Sequence, residues 1–303
     1  MTITDEEVVP DLSVAIASVN GLPVLAECIE ALERQRGVFV EVIVADRTGA
    51  EARDYLRAAH PGVRVIVAPA STPIPELRAM AAREARSRSL AVLEDHCITG
   101  PDWAGKMLGA LAKGHPLVAG PVKNFATRRL VDWAAFFCEY SAFMHPAPEG
   151  EAAMVPGNNV VYDRGAIVGF DEMMDEGLWD TALHERLKGR GIGLYMTPEV
   201  TVGHKMTGRL AWFLSQKFHF ARAFAGARLA GASRVLAPAY SLAALLLPLV
   251  IGGRITASVW RRGAYRREFV LSSPFLLLLL LVWAAGESVG YMAGPGRSTA
   301  RVA

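Results

Sequence analysis

Glu94, Asp95 and His96 follow the apolar run 89–93 (SLAVL) without a break. Two carboxylates and an imidazole are donors suited to a divalent cation. An apolar run that stops abruptly in acids is the pattern of a buried strand opening onto a crevice, where open α/β sheets bind ligands. Read alone, the triplet is either a metal site or the polar end of a strand. Another histidine, His204, follows a further apolar run in VTVGHKM, and taken by itself it is either structural or a ligand. Asp180 stands near the start of the helical pattern 178–191, from which an aspartate can cap exposed backbone N–H groups.

The elements that must position these residues are legible as strand and helix signals. Short apolar runs at 12–19, 40–46, 63–69 and 89–93 alternate with helical spacing at 22–35, 50–60 and 74–87. Such repetition predicts a parallel, doubly wound sheet with helices on both faces. From 101 to 204 the pattern is mixed: a strand at 116–122, a turn entering a strand at 154–164, and a helix at 178–191 that ends on Gly191.

The chain has 303 residues, 52% of them apolar, and a net charge of +2. So small a charge gives no footprint for nucleic acid. Cys28, Cys97 and Cys138 are widely spaced without metal-ligand spacing, which fits a reducing compartment and assigns them no chemistry. The first strand is not followed by G-x-G-x-x-G, which disfavours a dinucleotide-dependent dehydrogenase. The acidic beginning MTITDEEVVP lacks a basic region with an apolar core, so no secretory signal is expected.

The apolar excess lies in uncharged runs at 235–251 and 269–286, each near the length that crosses a bilayer. Between them stand Arg254, Arg261, Arg262, Arg266 and Arg267, a cluster that favours the cytoplasmic side. A first run that is re-entrant or interfacial, broken by Pro238 and Pro248, and a second run that crosses would reconcile the two. A two-helix hairpin is the alternative. Ahead of them, 209–234 places Leu210, Phe213, Phe220 and Phe224 on one helical face among basic residues, as in a helix lying in the membrane interface. An amphipathic core helix is the other reading.

The ordered motifs SVAIASVNG, VEVIVADRTGAEA, IPELRAMAA, LAVLEDHCITGPDW, VPGNNVVYDRGAIVGFDE and LWDTALHERLKGRG resemble family 2 glycosyltransferases over about 12–204. The resemblance implies an α/β fold of the GT-A type, the nucleotide-diphospho-sugar transferase fold, here with C-terminal membrane-associated helices. The expected organisation is a GT-A domain at 1–208, an amphipathic interfacial helix at 209–234, and a membrane-anchoring region at 235–303.

The resemblance also implies roles. Glu94, Asp95 and His96 stand where the family has Asp-x-Asp, which binds Mn²⁺ or Mg²⁺ on the donor diphosphate. His204 would add a ligand. Imidazole favours Mn²⁺. Asp180 matches the family's general base, with Trp179 where a Glu is usual. Ser18, Asn20 and Asp46 stand at the nucleotide end, with Arg47 where a second Asp is frequent. Arg78 and Asp95 would face the diphosphate, and Gly157, Asn158 and Asn159 the donor sugar and acceptor.

The expected activity is therefore inverting transfer of a single sugar from a nucleotide-diphosphate sugar to a lipid or glycan acceptor, at the cytoplasmic membrane with the catalytic domain facing the cytosol. QKFHFAR (216–222) only faintly resembles the Gln-x-x-Arg-Trp motif of processive synthases, and two apolar runs leave no room for an export channel. The changed metal and base motifs leave a second reading, a non-catalytic membrane scaffold or carbohydrate-binding protein on the same fold.

Overall fold

A computed structural model describes residues 8–229 and 234–302. Residues 1–7, which begin the expected catalytic domain and carry the acidic start, lie outside the described residues, as do 230–233 of the expected interfacial helix. The chain divides into two compact units: the first holds the chain up to Ala70, Ile74–Pro121 and Pro148–Val202, the second Ser71–Pro73, Val122–Ala147 and everything from Gly203 on.

The first unit begins with β1 (Leu12–Ser18), α1 (Val24–Glu33), β2 (Val40–Asp46), α2 (Ala50–Ala59), β3 (Arg64–Val67), α3 (Ile74–Arg83) and β4 (Ser89–Glu94). β5 (Cys97–Thr99), α4 (Trp103–Leu111) and β6 (Leu117–Ala119) follow. The second unit then opens with β7 (Val122–Asn124) and α5 (Leu130–Tyr140). The first resumes with β8 (Gly150–Glu151), β9 (Asn159–Asp163), α6 (Phe170–Asp175), α7 (Asp180–Gly189) and β10 (Tyr195–Met196).

Eight strands make its central sheet, in the order β3-β2-β1-β4-β9-β6-β10-β8. β1 is buried at every residue, as a strand covered on both faces must be, and between Ser13 and Ser18 it is accordingly apolar. α1 packs with Leu25, Cys28, Ile29, Ala31 and Leu32 inward. Parallel pairing aligns Ser18 with Asp46 and Ala17 with Glu94, so the carboxyl ends of β1, β2 and β4 share one edge. The parallel order does not extend to β9, which runs antiparallel between β4 and β6. Its register sets Asn159 against Leu93 and brings the preceding loop to the end of β4. The run expected as one strand over 116–122 is two, β6 and β7, separated by Gly120-Pro121. A β-carbon on Gly120 would fall 1.9 Å from the Val200 carbonyl oxygen, so no larger residue fits where the chain turns.

β11 (Val202–His204), whose first residue closes the first unit, leads into α8 (Leu210–Arg228), α9 (Ala237–Ala244), α10 (Leu247–Arg262) and α11 (Arg266–Ala293). α11 is the one helix among the described residues that by itself is long and apolar enough to cross a membrane. The earlier apolar run does not form one straight helix. It breaks between α9 and α10 with a 50° bend, just before Pro248, which has no N–H to continue the ladder. On α8 the buried line is Phe213, Lys217, Ala221 and Ala225, whereas Phe220 and Phe224 are half-buried. Small residues dominate because the backbones touch: β-carbons on Gly286 and Gly290 would lie 2.5 Å from the carbonyl oxygens of Phe218 and Arg222. α5 packs on the other end of α11 through Phe137 on Phe269 and Trp133 on Tyr265.

Candidate active site

All the expected site residues except His204 lie in the first unit, and most join one network at the carboxyl edge of its sheet. Asp95 is completely buried. Its Oδ2 accepts the backbone N–H groups of Val19 and Asn20 at 2.8 and 2.7 Å, and its Oδ1 accepts Asn20 Nδ2 at 2.8 Å. His96 Nδ1 lies 2.8 Å from the same Oδ1. Burial alone would raise the Asp95 carboxyl, but the bonds from His96 and Asn20 outweigh it and hold it below the ordinary aspartate value. Both Asp95 oxygens are thus occupied, and the residue ties the exit of β1 to the imidazole.

A carboxylate on Nδ1 favours the tautomer with its proton there and turns Nε2 into the lone-pair donor. His96 Nε2 lies 3.4 Å from Glu94 Oε2. Glu94 is about a quarter exposed, and the same oxygen accepts Asn158 Nδ2 at 2.9 Å. The ligand atoms that face one another are therefore those of Glu94 and His96. A carboxylate beside an orientated imidazole suits a divalent cation, and the imidazole suits Mn²⁺ better than Mg²⁺.

Arg78 joins this pair to Asp180. α3 delivers the guanidinium into the interior, where it is bonded to Asp180 Oδ1 and lies 3.6 Å from Glu94 Oε1. Burial would lower its pKa, and the two carboxylates more than reverse that. Its Nε–H is buried and makes no hydrogen bond, which leaves a donor for another oxygen.

Asp180 is the first residue of α7. Trp179 occupies the capping position, and no side chain caps the helix, so the carboxylate is directed to Arg78 instead. Gly157 is what allows this: a β-carbon there would fall 2.0 Å from the Asp180 carboxyl carbon. Behind Asp180 lies a pair that sequence reading did not single out, Tyr162 Oη and His184 Nε2 at 2.8 Å, both buried. Burial pushes the phenol up and the imidazole down; the Asp180 charge adds to the first shift and opposes the second. The available signal was the four-residue spacing of Asp180 and His184 on one helix.

The remaining expected residues are placed otherwise. Asp46 accepts Ser18 Oγ at 2.8 Å and the N–H and hydroxyl of Thr48 at 3.1 and 2.6 Å, so Ser18 and Asp46 brace the exits of β1 and β2. Asn159 faces away from Glu94: it accepts Trp103 Nε1 at 2.9 Å and donates to the carbonyls of Pro121 and Val200. In the second unit, His204 is buried with its ring 4.5 Å from that of Tyr140. The three cysteines are free and buried.

With a mixed sheet whose strand ends gather carboxylates, an imidazole and a buried arginine, the first unit has the architecture of an α/β nucleotide-sugar transferase. The sequence matches Glycosyl transferase family 2 over residues 13–170, more than half of the chain, and the protein belongs to that family. It is by that membership a glycosyltransferase. Comparison with curated proteins found no match.

Proposed function

We propose that the protein moves one sugar from a nucleotide-diphosphate sugar to an acceptor hydroxyl, with inversion, at a membrane surface. The observation that carries the reading is the Asp180–Arg78–Glu94 chain, which links two partly exposed carboxylates through a buried guanidinium. Asp180 takes the proton of the acceptor hydroxyl as its oxygen attacks the anomeric carbon from the face opposite the diphosphate. The bond from that carbon to the phosphate oxygen breaks, and the electron pair leaves with the nucleoside diphosphate. Arg78 holds Asp180 in place and offers its buried Nε–H to a diphosphate oxygen.

Glu94 and His96 would hold a divalent cation, and Asp95 fixes the imidazole. When bound, such a cation neutralises charge on the departing diphosphate. Ser18, Asn20 and Asp46 shape the nucleotide end, and Gly157 with Asn158 bounds the sugar.

Membrane attachment is supported by the apolar side chains that the second unit exposes. Leu242, Leu245, Leu246 and Leu249 on the bent α9–α10 segment and Leu271, Leu277, Leu278 and Leu281 on α11 are all at least 43% exposed, a surface suited to hydrocarbon. A lipid-linked acceptor would suit that location, and the arginine cluster over 254–267 supports a first unit on the cytosolic side.

The test is transfer from UDP- and GDP-sugars with Mn²⁺, with the anomeric configuration of the product read by NMR. Inverted product, and its loss in Asp180→Asn with donor binding retained, is expected. Retained configuration, or full activity in Asp180→Asn, would overturn the mechanism.

A further inference from the structure

The second unit contains a basic cavity that the transfer reaction does not use. It measures about 230 Å³ and is lined by His219, Arg222, Arg297, Ser298 and Arg301. α8 supplies His219 and Arg222; the segment after α11 supplies the other three. The geometry points to a binding site for a phosphate group, and we propose that this cavity is one.

Three features are built rather than incidental. First, the cations are held together. Arg222 Nε donates to the Gly294 carbonyl at 3.1 Å, and Gly296 passes so close that a β-carbon would lie 2.6 Å from Arg222 Nη2. Ser298, only 1% exposed, has its hydroxyl 3.0 Å from His219 Nδ1. The Arg301 carbonyl accepts Gln216 Nε2 at 3.2 Å, which fastens the far end of the segment to α8.

Second, no carboxylate among the described residues pairs with them. Among the described residues none of Arg222, Arg297 and Arg301 forms an ion pair with an acid, whereas Arg78, Arg164 and Lys217 each do. Burial lowers the His219 pKa, and the charges of Arg301 and Arg222 lower it further. An anion reverses that repulsion.

Third, the donor set fits phosphate better than a carboxylate. Guanidinium forks bind phosphate oxygens two at a time, and hydroxyl and imidazole donors serve the remaining oxygens. A volume of about 230 Å³ has room for a phosphate group. The phosphate belongs either to a lipid headgroup or to a small soluble compound, and both present the same oxygens.

The purified full chain provides the test. Inorganic phosphate titrated into the wild type is expected to move the His219 side-chain NMR resonance, assigned through His219→Asn. Flotation with phosphatidylcholine vesicles, with and without phosphatidic acid, distinguishes the sources. In Arg297→Gln/Arg301→Gln, which removes two exposed side chains, phosphate or phosphatidic-acid affinity is expected to fall about tenfold or more. Effects in the vesicle arm alone assign a lipid headgroup, and effects with inorganic phosphate assign a soluble ligand. An unmoved His219 resonance together with flotation indifferent to phosphatidic acid overturns the site. So does binding of either probe that the double variant leaves unchanged.

Discussion

Gly157 and Asp180 are packed so closely that a β-carbon on the glycine would fall 2.0 Å from the aspartate's Cγ and Oδ2. The backbone of Gly157 is not in the left-handed region, so the requirement for glycine is one of space alone. Gly157→Ala therefore pushes the Asp180 carboxylate away from Arg78 rather than unfolding the loop. Displacing a catalytic group by an ångström lowers turnover by about 100-fold. The expected result is a loss of kcat on that scale with donor KM little changed, measured by steady-state kinetics. An unchanged kcat would mean that the placement of Asp180 is not critical.

Asp95 acts on the imidazole rather than on an open position. Both of its oxygens are engaged, one with backbone N–H groups and one with Asn20 and His96. Asp95→Asn replaces an acceptor with a donor facing His96 Nδ1, which favours the tautomer whose lone pair points away from Glu94. Loss of such an orienting carboxylate typically weakens metal affinity by about 10–100-fold. Calorimetric Mn²⁺ titration should show that reduction, and a larger one in Glu94→Ala. An Mn²⁺ affinity equal to wild type in Asp95→Asn would remove the orienting role.

Glu41 locks β2 to the chain that leads into β4. It accepts Ser13 Oγ at 2.6 Å and the N–H and Nε of Arg86 at 3.0 and 2.6 Å. Burial would raise its carboxyl, but these bonds and the Arg86 charge together hold it below the ordinary glutamate value. A group whose pKa is depressed by folding adds stability above its unfolded pKa and loses it as pH falls through the folded pKa. Glu41→Gln should therefore be less stable than wild type near neutral pH, by about 1–3 kcal/mol. The gap should shrink once the pH drops below about 4. Denaturant unfolding at neutral and acid pH measures it, and a gap independent of pH would contradict the argument.

Much of the first unit was legible because its central strands β1, β2 and β4 are buried along most of their length and therefore largely apolar; β2 spans Val40–Asp46, as the run 40–46 predicts, with Glu41 its one polar residue before the end. Strand ends that turn polar marked Asp46 and Glu94 for the same reason. What pattern could not carry is contact across the chain. Arg78 and Asp180 are 102 residues apart, and nothing local shows that one guanidinium serves both Asp180 and Glu94. Nor does periodicity separate Asn158, which reaches Glu94, from Asn159, which turns to Trp103. On α8 the aromatic residues suggested a face for the membrane interface, with a core helix as the alternative; the helix buries Phe213 and Lys217 together with Ala221, Ala223, Ala225 and Gly226, since close approach to a partner backbone rewards small side chains.

That close approach makes α8 and α11 a single mechanical element. Gly286 and Gly290 are four residues apart on α11, and each meets a carbonyl oxygen of α8 at 2.5 Å from where a β-carbon would stand; opposite them sit Ala221 and Ala225. Gly226 meets Pro295 at 2.4 Å in the same way. A leucine at Gly290 has no space to rotate into, so the helices must separate, with an overpacking cost of about 1–3 kcal/mol or more. The residues that line the phosphate cavity come from both sides of this contact, Arg222 beside Gly290 and Ser298 beyond the end of α11. Gly290→Leu should lower the melting temperature and weaken phosphate binding together. Gly253→Ala, where a β-carbon would meet nothing within 4 Å, should change neither. Thermal unfolding of the two variants, followed by phosphate titration of each at a temperature where both are folded, measures the coupling; a Gly290→Leu protein with wild-type melting would show that the two helices are not in contact.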